Sequence, residues 1–132
     1  MEINDKKIYK IALITSLVGI IGLVIFSGFI TAKEIPVNKI DHSRVEEEVS
    51  VVGVIESVKK SSTSETYFLT LNDGTGKINI IIFESTTNEL KESGTDIDDF
   101  NNKKVKIIGT ITQYKSSIEI ILKNANSIKI IN

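Results

Sequence analysis

The side chains able to do chemistry are few, and their types suit binding better than bond-breaking. His42 is the single histidine and there is no cysteine. That excludes a disulfide framework, a Cys-based zinc site, an iron–sulfur cluster and a cysteine nucleophile. His42 has no second metal ligand near it in the chain and reads as a solvated linker residue. Neither a G-x-S-x-G elbow nor a phosphate-binding loop is present. Asp98 and Asp99 are adjacent carboxylates, but they stand near a helix start, where the helix dipole accounts for them. No catalysis, metal or cofactor is expected. What remains is Phe68, Thr70, Lys77, Asn79 and Phe83, with Lys59, Lys60, Tyr114 and Lys115 around them. Aromatic rings stack on flat surfaces, amides and hydroxyls exchange hydrogen bonds, and ammonium groups meet anions. The same residues also have a bland reading, with the aromatics as edge packing and the lysines as solvated loop charge.

The elements that must hold these residues follow from a periodicity of two after Glu48. Five runs are rich in Val, Ile, Thr, Tyr and Phe and are broken by Gly, Asn, Asp and Ser. They are 49–58, 66–71, 77–83, 104–114 and 117–123, and a short apolar run over 127–131 is expected to return to a sheet edge. Gly53 and Gly109 sit mid-strand, where an isolated glycine marks a bulge or a sharp bend. Asn72-Asp73-Gly74-Thr75-Gly76 is a turn. Between the third and fourth runs, Thr86-x-x-Glu89 is a capping box and Thr95-x-x-Asp98 resembles one. They predict short helical pieces with Leu90, Ile97 and Phe100 as an apolar face, the first ended by Gly94. Alternation then fixes the faces. With Leu69, Leu71, Ile78, Ile80 and Ile82 inward, Phe68, Thr70, Lys77, Asn79, Ile81 and Phe83 point outward.

Ahead of the strands, residues 11–32 form an uncharged run, IALITSLVGIIGLVIFSGFITA. Its length matches the roughly 20 apolar residues that span a bilayer, and it is longer than the apolar part of a cleaved signal peptide. One transmembrane α-helix is therefore expected. A short N-terminal tail over 1–10 precedes it, and Lys6, Lys7 and Lys10 favour a cytoplasmic N-terminus with the C-terminal domain extracytoplasmic. Residues 33–47 read as a polar linker in which Pro36 stops the helix, and 48–132 as the folded domain.

Five strands with a helical piece between the third and fourth match the all-β, five-stranded Greek-key barrel called the OB-fold. An open antiparallel sheet packed on the helix is the other arrangement these runs allow. Three stretches carry a family resemblance: Val51-x-Gly53-x-Ile55, Phe68-Leu69-Thr70-Leu71-Asn72-Asp73-Gly74-Thr75-Gly76-Lys77-Ile78-Asn79, and Val105-x-Ile107-x-Gly109. They resemble the nucleic-acid-binding OB-fold superfamily, in particular the anticodon-binding domains of class II aminoacyl-tRNA synthetases and the replication protein A-like single-strand binders. The resemblance implies a ligand face on the second and third strands. It also implies that the position matching Phe68 stacks on a base, and that the position matching Asn79, commonly Gln, hydrogen-bonds one. Lys77, Lys59, Lys60, Tyr114 and Lys115 would flank that groove.

Charge moderates the expectation. From Glu46 onward there are 13 acidic residues and 10 lysines, whereas phosphate-backbone affinity needs concentrated positive charge. The expected function is a membrane-anchored OB-fold protein that binds single-stranded DNA or RNA weakly through strands two and three. The alternative is an extracytoplasmic oligosaccharide- or protein-interaction module, in which a protein partner takes the place of nucleic acid. The layout of a span followed by an OB-fold is also that of the membrane-anchored haem chaperone family. The His followed four residues on by Tyr that holds haem there is missing, because Glu46 stands four residues after His42.

Overall fold

The computed structural model describes residues 5–29 and 32–131, and for residues 22–29 it describes the backbone only. The chain divides into two compact units, Met1–Thr31 and Ala32–Asn132.

The first unit is helix α1, Asp5–Phe29. The helix starts within the expected tail, so Asp5, Lys6, Lys7 and Lys10 all lie on it. The expected span extends over residues 22–31, whose side chains lie outside the described residues. Among the described residues no helix is long and apolar enough to cross a membrane, and the expected anchor over 11–32 is corrected on that ground.

The second unit is a closed barrel. Its strands are β1 (Lys33–Glu34), β2 (Glu48–Lys60), β3 (Tyr67–Asn72), β4 (Lys77–Ile82), β5 (Lys104–Tyr114), β6 (Ser117–Leu122) and β7 (Ile128–Ile130). The antiparallel meander β2–β3–β4 meets β6 in parallel, β6 pairs with β5, and β5 pairs back onto β2. Those five strands are the expected barrel. The short β1 adds to β2 in parallel, and β7 adds to β5, as the last apolar run predicted.

Alternation along the strands fills the barrel. Val51, Ile55, Leu69, Leu71, Ile80, Ile82, Ile107, Ile111 and Ile120 are all fully buried. Each such side chain contributes about 1.5–3 kcal/mol of hydrophobic stabilisation. The two mid-strand glycines are needed for close strand approach. A Cβ on Gly53 would lie 2.7 Å from the Asn72 carbonyl oxygen. A Cβ on Gly109 would overlap the Ile121 carbonyl oxygen and lie 2.5 Å from Ile120 Cγ2. The bulge itself falls three residues after Gly53, at Glu56, where β2 slips register against β3 between Ile55 and Ser57.

Helix α2 (Glu84–Glu92) and the 3-10 turn Ile97–Phe100 add Leu90, Ile97 and Phe100 to the core. The caps differ from expectation. Phe83 is the N-cap of α2 and makes no side-chain cap bond, while Thr86 and Thr87 lie inside the helix and are buried. Glu89 turns away to accept the Ala125 N–H at 3.1 Å. The second turn is capped by Asp96, which accepts the Asp98 N–H at 3.0 Å, not by Thr95. Core packing has overridden the local capping signal at the first of these sites, burying Thr86, which was expected to cap. Gly94, at φ +80°, closes α2 as expected.

Residues 33–47 are ordered against the barrel. Ile35 and Val37 are buried in the core cluster. Asp73 Oδ2 accepts the Val37 N–H at 2.8 Å, and Thr75 Oγ1 accepts the Asn38 N–H at 3.2 Å. The Glu46 N–H donates to the Ile111 carbonyl at 2.7 Å, and the Ile111 N–H donates to the Glu47 carbonyl at 2.9 Å. His42 Nδ1 lies 3.1 Å from Gln113 Oε1.

Candidate functional site

The outer face of β3, β4 and β6 carries two parallel rows of side chains, set by strand register. One is polar. Ser57 faces Thr70, Thr70 faces Asn79, Asn79 faces Glu119, and Glu119 faces Thr112, so the row crosses five strands. Ser57 Oγ donates to Thr70 Oγ1 at 3.1 Å, and Thr70 Oγ1 donates to Asn79 Oδ1 at 3.2 Å. The Asn79 carbonyl is thereby engaged and its amide N–H2 is left for a ligand. Glu119 is 7% exposed and presents a carboxylate, an acceptor only when ionised. The next row is mainly apolar: Lys59 faces Phe68, Phe68 faces Ile81, and Ile81 faces Ile121.

Between and beyond these rows lies a groove of about 370 Å³ lined by Phe68, Ile81, Phe83, Thr112, Gln113, Tyr114, Glu119 and Ile121. Its aromatic walls are open to solvent. Phe68 is 38% exposed, Phe83 47% and Tyr114 64%. Tyr114 ends β5 at a hairpin whose turn residue Lys115 takes φ +58°, and the Lys115 ammonium lies 5.6 Å from the Tyr114 ring centroid. Gln113 Nε2 donates to the Lys115 carbonyl at 3.1 Å and braces that turn.

The structure gathers part of the expected set. Phe68, Phe83 and Tyr114 meet in the groove, Thr70 and Asn79 form the ladder beside it, Lys59 pairs in register with Phe68, and Lys115 lies over the Tyr114 ring. Lys77 and Lys60 are turned to other partners. Lys77 Nζ is 2.9 Å from Glu56 Oε2. Lys60 Nζ is 2.8 Å from Glu65 Oε1, and Lys91 Nζ is 2.7 Å from Glu65 Oε2. Hydrogen bonds from Lys60 and Lys91 hold the Glu65 carboxyl down at about 2. The Glu56 carboxyl is lowered by the Asn72 amide, which donates at 2.7 Å, and then by Lys77.

Ile121, Thr112, Gln113 and Glu119 were not singled out from sequence. Glu119 had a usable signal, as the one charge inside the apolar run Ile118–Leu122.

The motif F-x-x-L-x-D-x-x-G serves the backbone first. Asp73 Oδ1 accepts the Thr75 N–H at 2.8 Å, the Thr75 hydroxyl at 2.6 Å and the Gly76 N–H at 3.1 Å, while Gly74 takes φ +90°. Burial alone would raise the Asp73 carboxyl. The bonds from Thr75, Val37 and Gly76 outweigh it and hold the group below its ordinary value. The turn thus fixes the β3–β4 hairpin that carries both rows.

Among solved structures, the aspartyl-tRNA synthetase of Entamoeba histolytica superposes with a TM-score of 0.60 at 14% identity, over 75% of this chain and 21% of that one. The Stn1–Ten1 complex of S. pombe gives 0.52 at 18% identity, over 64% and 58%. OBody AM1L10, bound to hen egg-white lysozyme, gives 0.57 at 18%, over 77% and 94%. The chain therefore spans about a fifth of the synthetase and just over half of the Stn1–Ten1 chain. At these identities the likeness is one of fold. No curated protein matches the chain. The sequence of residues 49–129, most of the barrel, matches the OB-fold nucleic acid binding domain, and the chain belongs to that family.

Proposed function

We propose that the groove binds single-stranded nucleic acid, with bases stacked on Phe68, Phe83 and Tyr114 and their edges read by the ladder beside them. The observation that supports this most is three solvent-open aromatics around one groove, next to an unspent amide and a carboxylate, on a domain of this family. Stacking contributes about 1–3 kcal/mol per base and tolerates any base. The Asn79 amide donates to a base carbonyl or ring nitrogen. The Glu119 carboxylate accepts from an exocyclic amino group and disfavours phosphate at the same spot. Recognition in the groove is therefore of bases, and the strand's phosphates lie away from Glu119.

Affinity is weak. Lys60, Lys77, Lys91 and Lys123 already hold carboxylates in ion pairs, and a phosphate must compete for them. The role is that of a binding module, without catalysis.

Anisotropy titration of a labelled oligothymidylate or oligouridylate at low salt tests the reading. Saturable binding that weakens about 5- to 100-fold in Phe68→Ala is expected, as the loss of one stacked base requires. No binding of either polymer would refute it. A protein ligand is the second reading, supported by the barrel's acidic balance and by the lysozyme carried by the OBody neighbour. Under that reading the Phe68 variant loses a protein partner and oligonucleotides have no effect.

A further inference from the structure

Three further lysines not held in ion pairs cluster away from the groove. On β5 the outward row runs Lys104, Lys106, Ile108, Thr110, Thr112, Tyr114, while Val105, Ile107, Gly109 and Ile111 point inward and are buried. The last two outward residues line the groove. The first two are exposed cations at the other end of the same strand. Lys129 on β7 stands directly opposite Lys106, and it too is exposed. On the far side, Val52 faces Lys106 and Val54 faces Lys104.

Like charges directly opposite across strands are destabilising. Among the described residues no carboxylate lies within ion-pair distance of Lys104, Lys106 or Lys129, whereas Lys60, Lys77, Lys91 and Lys123 all have one. Lys104 does share a shallow depression with Glu56 and Asp73. Both carboxylates are occupied, Glu56 by Lys77 and Asn72, and Asp73 by backbone and Thr75 donors. The uncompensated charge is thus centred on the Lys106–Lys129 pair.

We propose that this pair, with Lys104, is the phosphate-contacting part of the site, so that a strand stacked in the groove continues along β5 with its backbone on these lysines. This rests on the nucleic-acid reading of the groove. Six residues of strand separate Thr112 from Lys106, about 20 Å at roughly 3.3 Å per residue. At about 3.4 Å per phosphate even for stacked DNA, roughly six nucleotides cover that distance. This lies within the roughly 4–16 nucleotides that an OB-fold engages. The aliphatic Val52 and Val54 beside the lysines suit the sugar edge of such a backbone.

The test compares the full chain with Lys106→Gln/Lys129→Gln, using oligothymidylates of about 4 and about 15 residues over a salt series. The longer oligomer should bind the double variant about tenfold more weakly at low salt. Its log–log salt slope should fall by about 1.4, since each lost single-strand phosphate contact removes about 0.7. The four-residue oligomer should be unaffected, and Lys106→Arg/Lys129→Arg should keep the wild-type slope. An unchanged slope in the Gln variant, in a chain whose binding still depends on Phe68, overturns this inference and leaves the groove reading standing. Absence of binding by the wild type overturns both. Self-association of the wild type that the Gln variant abolishes, uncompeted by the oligomer, would assign the face to the acidic α2 end of a second copy and overturn it as well.

Discussion

The groove over β3, β4 and β6 and the outer face of β5 and β7 are built from opposite materials. The groove has the aromatics, an amide–hydroxyl ladder and a nearly buried carboxylate, and the cations on the strands and loop around it are mostly spent on Glu56 and Glu65. At the other end of β5, Lys104 and Lys106 with Lys129 of β7 have only Val52 and Val54 beside them on β2, and Lys106 and Lys129 oppose one another without acids. Shape and edge recognition are therefore separated from charge. The acidic sum over the barrel hides this, because a net charge does not record which cations are already paired. One strand joins the two regions. Gly109 lies on it between Lys106 and Thr112, where β5 crosses close under β6.

Breaking that strand should have the largest effect. Gly109→Ala forces a Cβ into the Ile121 backbone and should destabilise the barrel by about 3 kcal/mol, read by urea or thermal melting. A wild-type melting curve would mean that β5 and β6 do not approach as described. Within a folded barrel, Phe68→Ala should cost about 1–3 kcal/mol of oligonucleotide affinity. It should change stability little, since the ring is 38% exposed. Equal losses of affinity and stability would return Phe68 to packing and dissolve the distinction between the two faces.

The third effect lies in the turn that holds the groove's hairpin. Asp73→Asn should lower stability by about 1 kcal/mol, and the difference should depend on pH. The carboxyl is held below its ordinary value, so its bonds stabilise fully above the unfolded-state pKa near about 4. They are lost as pH falls through the lower folded value. Wild-type and variant melting curves recorded down the acid range should therefore converge, and a gap that persists in strong acid would point to another cause. The smallest effect is electrostatic. Glu56→Gln frees Lys77 beside the ladder and should raise oligonucleotide affinity a few-fold at low salt. Unchanged affinity would mean that Lys77 is not near the strand at all.

The barrel was legible in sequence because period-two burial and turn residues are local signals. Leu69, Leu71, Ile80 and Ile82 could be assigned inward from spacing alone, and with them the outward set that includes Phe68 and Asn79. Gly53 and Gly109 were read as a bulge or bend, and their role proves to be close strand approach. The parts that could not be read depend on partners far along the chain. Residues 33–47 look like a tether until Asp73, 36 residues on from Val37, accepts its N–H. Glu65 claims Lys91 across 26 residues, a contact no spacing rule anticipates. The helix caps were misplaced because the barrel buries Thr86, which short-range hydrogen-bonding rules assign to the helix start, and because Asp96 rather than Thr95 caps the second turn. The uncharged run ahead of the barrel has the length of a bilayer span, yet the helix begins among its preceding charges, and among the described residues no helix is long and apolar enough to cross a membrane.

The central claim is that bases enter the groove beside the ladder. Its most direct test is an amide and methyl chemical-shift map of the isotope-labelled chain titrated with oligothymidylate. The largest shifts should fall on Phe68, Thr70, Asn79, Ile81, Glu119 and Ile121, with a weaker set along β5 toward Lys106. Shifts confined to the 60–65 loop and α2, or no shifts at saturating oligomer, would contradict it.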